Sequence, residues 1–242
     1  MPFHNTYEDT NRAASYAAIG FPGTYYLAFR DLPGLLDAHI TGRRAIDFGC
    51  GAGRSTRFLG RHGFVAAGID ISDAMLHHAR RIDAAGRYVL VADGGPLPLR
   101  PASFDLILSA FAFDNIPGEA HRAGILRELA SLLAPGGRIV LLVSAPELYV
   151  REWASFSTGE FPGNRHARSG ESVWIVMKDG PDRRPIHDLV WHDDAYRRQF
   201  ETAGLVPVTT HRPLGTEDEP FEWVNETKVS PWTIYVLAPA GT

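Results

Sequence analysis

The stretch Ala45-Ile-Asp-Phe-Gly-Cys-Gly-Ala-Gly53 decides how the rest of the chain is read. A short apolar run enters three glycines at alternate positions, and a segment of helical period follows at once, so a strand, a tight turn and a helix are predicted in succession. In that order the backbone amides of the turn and the helix N-terminus face the crevice beyond the strand's carboxyl end, a ligand-binding position. Glycines let the backbone approach a ligand where a Cβ would collide.

Downstream of this turn, short β-branched runs alternate with longer helical segments, the pattern of βαβ units and a mostly parallel sheet. Strands are expected at about 44–48, 64–69, 87–91, 104–109 and 137–143, and helices at about 53–61, 73–82 and 118–133. The last helix carries Ile125, Leu126, Leu129, Leu132 and Leu133 on one face and stops at Pro135-Gly-Gly137. Residues 193–203 read as a further helix, and Leu205–Thr210 and Trp232–Leu237 as the final strands. The loop between those strands carries Glu217, Asp218, Glu219, Glu222 and Glu226 and is expected to be exposed.

Two regions break the alternation. Residues 1–43 contain two helical segments, about 9–18 and 25–38, separated by Gly20-Phe-Pro-Gly23, and read as an N-terminal helical lid. Residues 44–242 form the main domain, with an insertion at about 145–190 in which Val173–Met177 and Ile186–Trp191 flank Asp179-Gly-Pro-Asp182 as a hairpin.

At 242 residues and 45% hydrophobic content the chain can bury one substantial core. A formal charge of −4 without a Lys/Arg cluster argues against a nucleic-acid partner. The single Cys50 cannot close an intramolecular disulfide, the first residues lack a signal-peptide pattern, and no apolar run approaches a bilayer span; a cytoplasmic protein with no membrane partner is the expectation. His77-His78 has no third ligand at metal spacing, so no metal is expected. Oligomeric state is not legible, which leaves room for a homodimer.

A dinucleotide fingerprint places its third glycine where this chain has Arg54, which weakens a nicotinamide reading without removing it. Asp47, two residues before the first glycine, would repel a pyrophosphate but suits an amino-acid moiety bearing an ammonium group. Asp47-x-Gly49-x-Gly51-x-Gly53 resembles motif I of the class I S-adenosylmethionine-dependent methyltransferases. Asp70 ends the second strand 21 residues after Gly49, the spacing that sets a carboxylate beside a ribose, although the same residue also suits the start of the helix near Ser72. Leu97–Ser109 resembles the family's passage into strand four, and Leu133-Ala-Pro-Gly-Gly-Arg-Ile-Val140 its turn into strand five.

The resemblance implies a Rossmann-like α/β fold with a seven-stranded sheet of order 3-2-1-4-5-7-6, strand seven antiparallel, and S-adenosylmethionine as cofactor. It places Asp47, Gly49, Gly51, Gly53, Asp70, Ile71 (against the adenine), Asp93 (on the adenine amino group), Gly94 and Ser109 at that cofactor. By position relative to small-molecule members, Tyr25 and Arg30 would hold the cofactor's carboxylate; Tyr25, Tyr26 and Phe29 at helical spacing equally suit core packing. The candidate bases are His166, in the insertion, and Asp114, just after strand four, where it could instead cap a helix. The implied reaction is in-line methyl transfer to a small hydrophobic or aromatic acceptor, as in the ubiquinone-synthesis-like and natural-product tailoring members. A cofactor-binding, non-methylating cyclase-like enzyme remains the alternative.

Overall fold

The computed structural model describes residues 14, 20 and 22–241. The helix expected at 9–18 lies outside the described residues except for Ala14, as does Phe21 of the expected break. Helix α1 (Thr24–Arg30) and helix α2 (Leu32–His39) replace the single helix expected over 25–38. Pro33 explains the division, because it donates no backbone hydrogen bond and its ring disfavours helical backbone just before it; it sits in the first turn of α2, where both properties are tolerated.

The alternating core follows as β1 (Arg44–Phe48), α3 (Arg54–Arg61), β2 (Val65–Asp70), α4 (Asp73–Ile82), β3 (Arg87–Leu90), β4 (Phe104–Ala110), α5 (Glu119–Leu132) and β5 (Leu133–Ser144). After the insertion come α6 (Asp193–Thr202), β9 (Leu205–His211) and β10 (Trp232–Pro239). The seven-stranded sheet runs β3-β2-β1-β4-β5-β10-β9, with β10 antiparallel to both neighbours. Counting its strands in chain order gives 3-2-1-4-5-7-6, so the Rossmann-like expectation holds.

The inserted segment is a separate three-stranded sheet in which β7 (Ser172–Met177) and β8 (Ile186–Leu189) form the expected hairpin. It gains a short edge strand, β6 (Phe156–Ser157), that two residues of sequence could not announce.

Side-chain alternation divides the core between the two faces of the large sheet. Val140, Leu142, Trp232, Ile234 and Val236 pack with Tyr25, Leu27 and Phe29 of α1 and with Val173 and Ile175 of β7. Ile139, Leu141, Val143, Tyr235 and Leu237 pack on the opposite face with Leu126 and Leu129 of α5 and Tyr196 and Phe200 of α6. Helix α1 and the inserted sheet therefore share one core on the side where the site opens. Asp105 ties the start of β1 to β4, accepting from the Arg44 amide at 2.9 Å and from its guanidinium at 3.0 Å.

One expectation about the 213–230 loop fails. Glu226 is fully buried, its Oε1 accepting from the Thr24 hydroxyl at 2.6 Å and the Ala154 amide at 2.7 Å, and its Oε2 from the amides of Val224 and Asn225. A carboxylate can be buried when every lone-pair direction meets a donor, and this one anchors α1 instead of solvating a loop.

Candidate functional site

The glycine turn is built from beneath. Gly49, Gly51 and Gly53 all adopt positive φ (70°, 52° and 77°), the left-handed region that other residues enter at a cost. A Cβ on Gly49 would collide with the Ala112 side chain, and one on Gly51 would stand 3.0 Å from Met75 Cε. The amides of Gly49 and Cys50 bond the Ile69 carbonyl at 2.9 and 3.0 Å, hanging the turn on the end of β2.

Asp47 lies under this turn, fully buried, and its Oδ2 accepts from the hydroxyls of Ser55 (2.7 Å) and Thr56 (2.6 Å) in the first turn of α3. Burial pushes its carboxyl up to about 6 against the pull of those hydroxyls. It does not line the cavity, so the expectation that it meets an ammonium group directly is corrected: Asp47 fastens β1 to α3 and holds the loop's shape. Gly53 likewise sits behind the cavity wall, where a Cβ would meet the Tyr88 ring 2.6 Å from its hydroxyl oxygen.

Asp70 closes the other side. Its Oδ2 accepts from the Gly51 amide at 2.7 Å and its Oδ1 from the Ser72 amide at 2.8 Å. Burial raises its carboxyl above the usual range while these amides oppose the rise. The residue lines the cavity. The helix-start reading of this acid belongs to its neighbour, since Ser72 Oγ accepts from the Met75 amide at the head of α4.

These groups open into a cavity of about 510 Å³, within the ordinary range for small-molecule sites. Gly49, Gly51, Asp70, Ile71, Asp93 and Gly94 line one end. Ile71 is 48% exposed, an apolar side chain turned outward where the cavity lies. Met75, Val91, Leu97 and the first turns of α5 (Ala120, His121, Ile125) complete that end.

Three further expectations are corrected. Arg30 does not line the cavity; its guanidinium binds Asp31 at 2.7 Å and Glu219 at 2.7 Å on the outer side of α1. Ser109 is fully buried inside β4, one residue short of the Ala110-Phe-Ala112 corner that does reach the cavity. His166 is exposed and outside the lining, because the turn Pro162–His166 points Asn164 inward instead, where it bonds the carbonyls of Tyr149 and Trp174 at 2.8 Å each.

Tyr25 does line the cavity and stacks on Trp232 at 5.7 Å, so its packing and cavity-facing readings are both realised. The cation beside it is Arg54, whose guanidinium lies 5.5 Å over the Tyr25 ring. Sequence reasoning used Arg54 only to weaken a dinucleotide; its position at the first residue of α3 was the available signal.

The far end is lined by Phe111, Asp114, Ser144, Phe156, Asp188 and Trp232. Asp114 is 2% exposed; its Oδ2 accepts from the Ser144 amide at 3.0 Å and its Oδ1 has no hydrogen-bond partner. Burial raises its carboxyl, opposed by hydrogen bonding from Ser144 and by the charge of Arg122. Arg122 is itself buried, stacked 4.2 Å over Phe113 and 4.1 Å over Trp191, and donates to the carbonyls of Phe113 and Ile116.

Asp188 went unnoticed in the sequence. It pairs across the hairpin with Val173, and directly opposed residues share a face, so it points inward with a fully buried valine. The Tyr149 hydroxyl donates to it at 3.3 Å. Burial and the nearby Asp114 charge push its carboxyl up to about 7. An acid at an inward position of the run Ile186-His-Asp-Leu189 was the signal.

Among the described residues, no cluster of three or more His, Cys, Asp or Glu side chains could hold a metal, and no helix is long and apolar enough to cross a membrane.

A parallel sheet with one antiparallel strand, a glycine turn and an acid at the next strand's end define a nucleoside-binding α/β protein of the Rossmann-like class. The model for a methyltransferase domain matches residues 46–141. An 18S rRNA (guanine-N(7))-methyltransferase of Bos taurus is 34% identical over 201 residues, 76% of this chain and 71% of that one. A demethylmenaquinone methyltransferase of Tropheryma whipplei is 39% identical over 101 residues, but that match spans only 41% of each chain. The CcbJ methyltransferase of Streptomyces caelestis superimposes with a TM-score of 0.63 at 18% identity, covering 90% of this chain and 99% of the other. The chain belongs to the class I S-adenosylmethionine-dependent methyltransferases, and S-adenosylmethionine is its cofactor.

The residues present fit that group: the glycine turn brings backbone without side chains to the cavity wall, and Asp70 presents a carboxylate there.

Proposed function

We propose that the protein transfers a methyl group from S-adenosylmethionine to a small, hydrophobic or aromatic molecule held at the far end of the cavity. The observation that carries this reading is the continuity of one cavity from the glycine turn to Asp114 and Asp188, past Phe111, Phe156 and Trp232. The bound cofactor supplies an electrophilic sulfonium methyl; the chain's residues align the two partners and exclude water.

Asp70 accepts from the ribose hydroxyls, Ile71 packs on the adenine, and Asp93 with Gly94 faces its amino group. Gly49 and Gly51 give the backbone approach, and Arg54 beside Tyr25 takes the carboxylate role first assigned to Arg30. Helix α1 acts as the lid. Asp114 and Asp188 supply polar groups at the reacting end, where an acceptor that must lose a proton can be served. The apolar aromatic lining supports a tailoring role in natural-product biosynthesis.

The Bos taurus relative is named for rRNA, yet a net charge of −4 and two carboxylates at the reacting end oppose a polyanion here. The test is isothermal titration of the full chain with S-adenosylhomocysteine and with NAD. Micromolar binding of the first and none of the second supports the reading, and the reverse overturns it.

A further inference from the structure

We infer that the methyl acceptor is a cationic amine, seated at the far end of the cavity between the carboxylates of Asp114 and Asp188 and deprotonated there by Asp188. The inference rests on the methyl-transfer reading above and adds the substrate class.

Charge complementarity is the first argument. Among the described residues, the Arg side chains that line the cavity are Arg54 and Arg57, both on α3 beside the glycine turn, while the far end holds two carboxylates. His187, the imidazole beside Asp188, is held below its usual range by burial and brings no charge at neutral pH. Arg122, whose charge acts on Asp114, donates through Nε to Gln199 and through Nη1 to the carbonyls of Phe113 and Ile116, while its Nη2 is left without a partner. Two carboxylates against one guanidinium leave room for one more cation, and an anionic acceptor would meet repulsion.

The second argument is an orphaned acceptor. Asp114 Oδ1 has no hydrogen-bond partner although the side chain is 98% buried and lines the cavity. A buried carboxylate oxygen without a donor is costly, and a cation seated beside this carboxylate in the cavity offsets that cost through its charge. An ammonium offers three donors, enough for both carboxylates at once. Phe111, Phe156 and Trp232 line the same cavity, and aromatic faces also favour a cation.

The chemistry balances without a further reactant. Asp188 takes one proton from the ammonium, giving a neutral amine and a carboxylic acid. The nitrogen lone pair forms the new carbon–nitrogen bond as the carbon–sulfur bond breaks, its electron pair going to sulfur. The product is a methylated ammonium, and Asp188 then releases its proton to solvent. A carboxyl titrating near 7, facing Asp114, Tyr149 and Asn115, is suited to that exchange at neutral pH.

The test is calorimetry on the full chain loaded with S-adenosylhomocysteine, using 2-phenylethylamine and its isostere 2-phenylethanol at pH 8. Hydrogen bonds to a charged partner exceed neutral ones enough to predict about tenfold tighter binding of the amine. That preference should vanish in Asp188→Asn and Asp114→Asn, whose unchanged titration with S-adenosylhomocysteine reports intact folding. Equal affinity of the two probes for the wild type, absence of binding by both included, overturns the inference. So does a preference that survives in both variants. Failure of S-adenosylhomocysteine itself to bind would instead sink the methyltransferase reading.

Discussion

The Thr24 hydroxyl donates to the Glu226 carboxylate at 2.6 Å, joining helix α1 to a loop 202 residues away. The Trp232 indole nitrogen also donates to the Thr24 carbonyl at 2.7 Å, and the Thr24 amide donates to Ser155 Oγ at 3.0 Å. One residue thus pins helix α1, whose Tyr25 and Phe29 line the cavity, to the last strand and to the insertion together.

Glu226→Ala should be among the most damaging single changes outside the cavity. It leaves three backbone amides and a hydroxyl without their acceptor, and each buried orphan costs about 1–3 kcal/mol. Urea unfolding should show a loss of at least about 3 kcal/mol, against about 1–2 kcal/mol for Thr24→Val. A loss below 1 kcal/mol for Glu226→Ala would show that the anchor is dispensable.

Asp70→Ala removes the carboxylate that accepts from Gly51 and Ser72 and faces the cavity. Affinity for S-adenosylhomocysteine should fall by about 1–3 kcal/mol, measured by titration calorimetry. Unchanged affinity would remove Asp70 from the ribose position.

The two arginines near α1 should separate cleanly. Arg54→Ala removes the guanidinium beside the Tyr25 ring and should weaken cofactor binding about tenfold or more. Arg30→Ala breaks a partly exposed pair with Asp31 and Glu219 and should leave cofactor affinity within twofold, with about 0–1 kcal/mol lost in stability. Equal effects of the two on cofactor affinity would contradict the assignment.

The Asp188 carboxyl makes a pH prediction with a definite sign. Its folded value, about 7, lies above the ordinary 3.8, so the folded state holds the proton more tightly. Its contribution to stability therefore declines as pH rises from about 4 to about 7 and is flat beyond. Asp188→Asn, which keeps an acceptor for Tyr149, should melt higher than wild type at pH 8, by about 2–4 °C for each kcal/mol relieved, with the gap closing by pH 4. A gap independent of pH would show that Asp188 titrates as an ordinary surface acid.

His166→Ala should leave turnover within twofold of wild type, because the imidazole is exposed and outside the cavity lining. A loss of tenfold or more in kcat/KM would return it to the reacting end.

Much of this molecule was legible in the sequence because its central sheet is specified locally. Ala45–Gly53 gave a strand, a turn that only glycines tolerate and a helix start, and apolar alternation in Ile139–Val143 told which residues face each layer. Local rules also set Asp70 at the end of β2, where the turn's own amides meet it. The roles of charged side chains were decided elsewhere. Asp47 turned from ligand to buried fastener because Ser55 and Thr56 of α3 fold back over it. Arg30 was taken by Asp31 and by Glu219, and Glu226 was buried by donors from α1, the insertion and its own loop. Asp188 reached the cavity only because the β7–β8 pairing turned its face inward beside Val173. Backbone conformation answers to neighbours along the chain, and the sequence determined it; the task of a carboxylate or guanidinium answers to the partners that close around it, and those only the tertiary structure brings together.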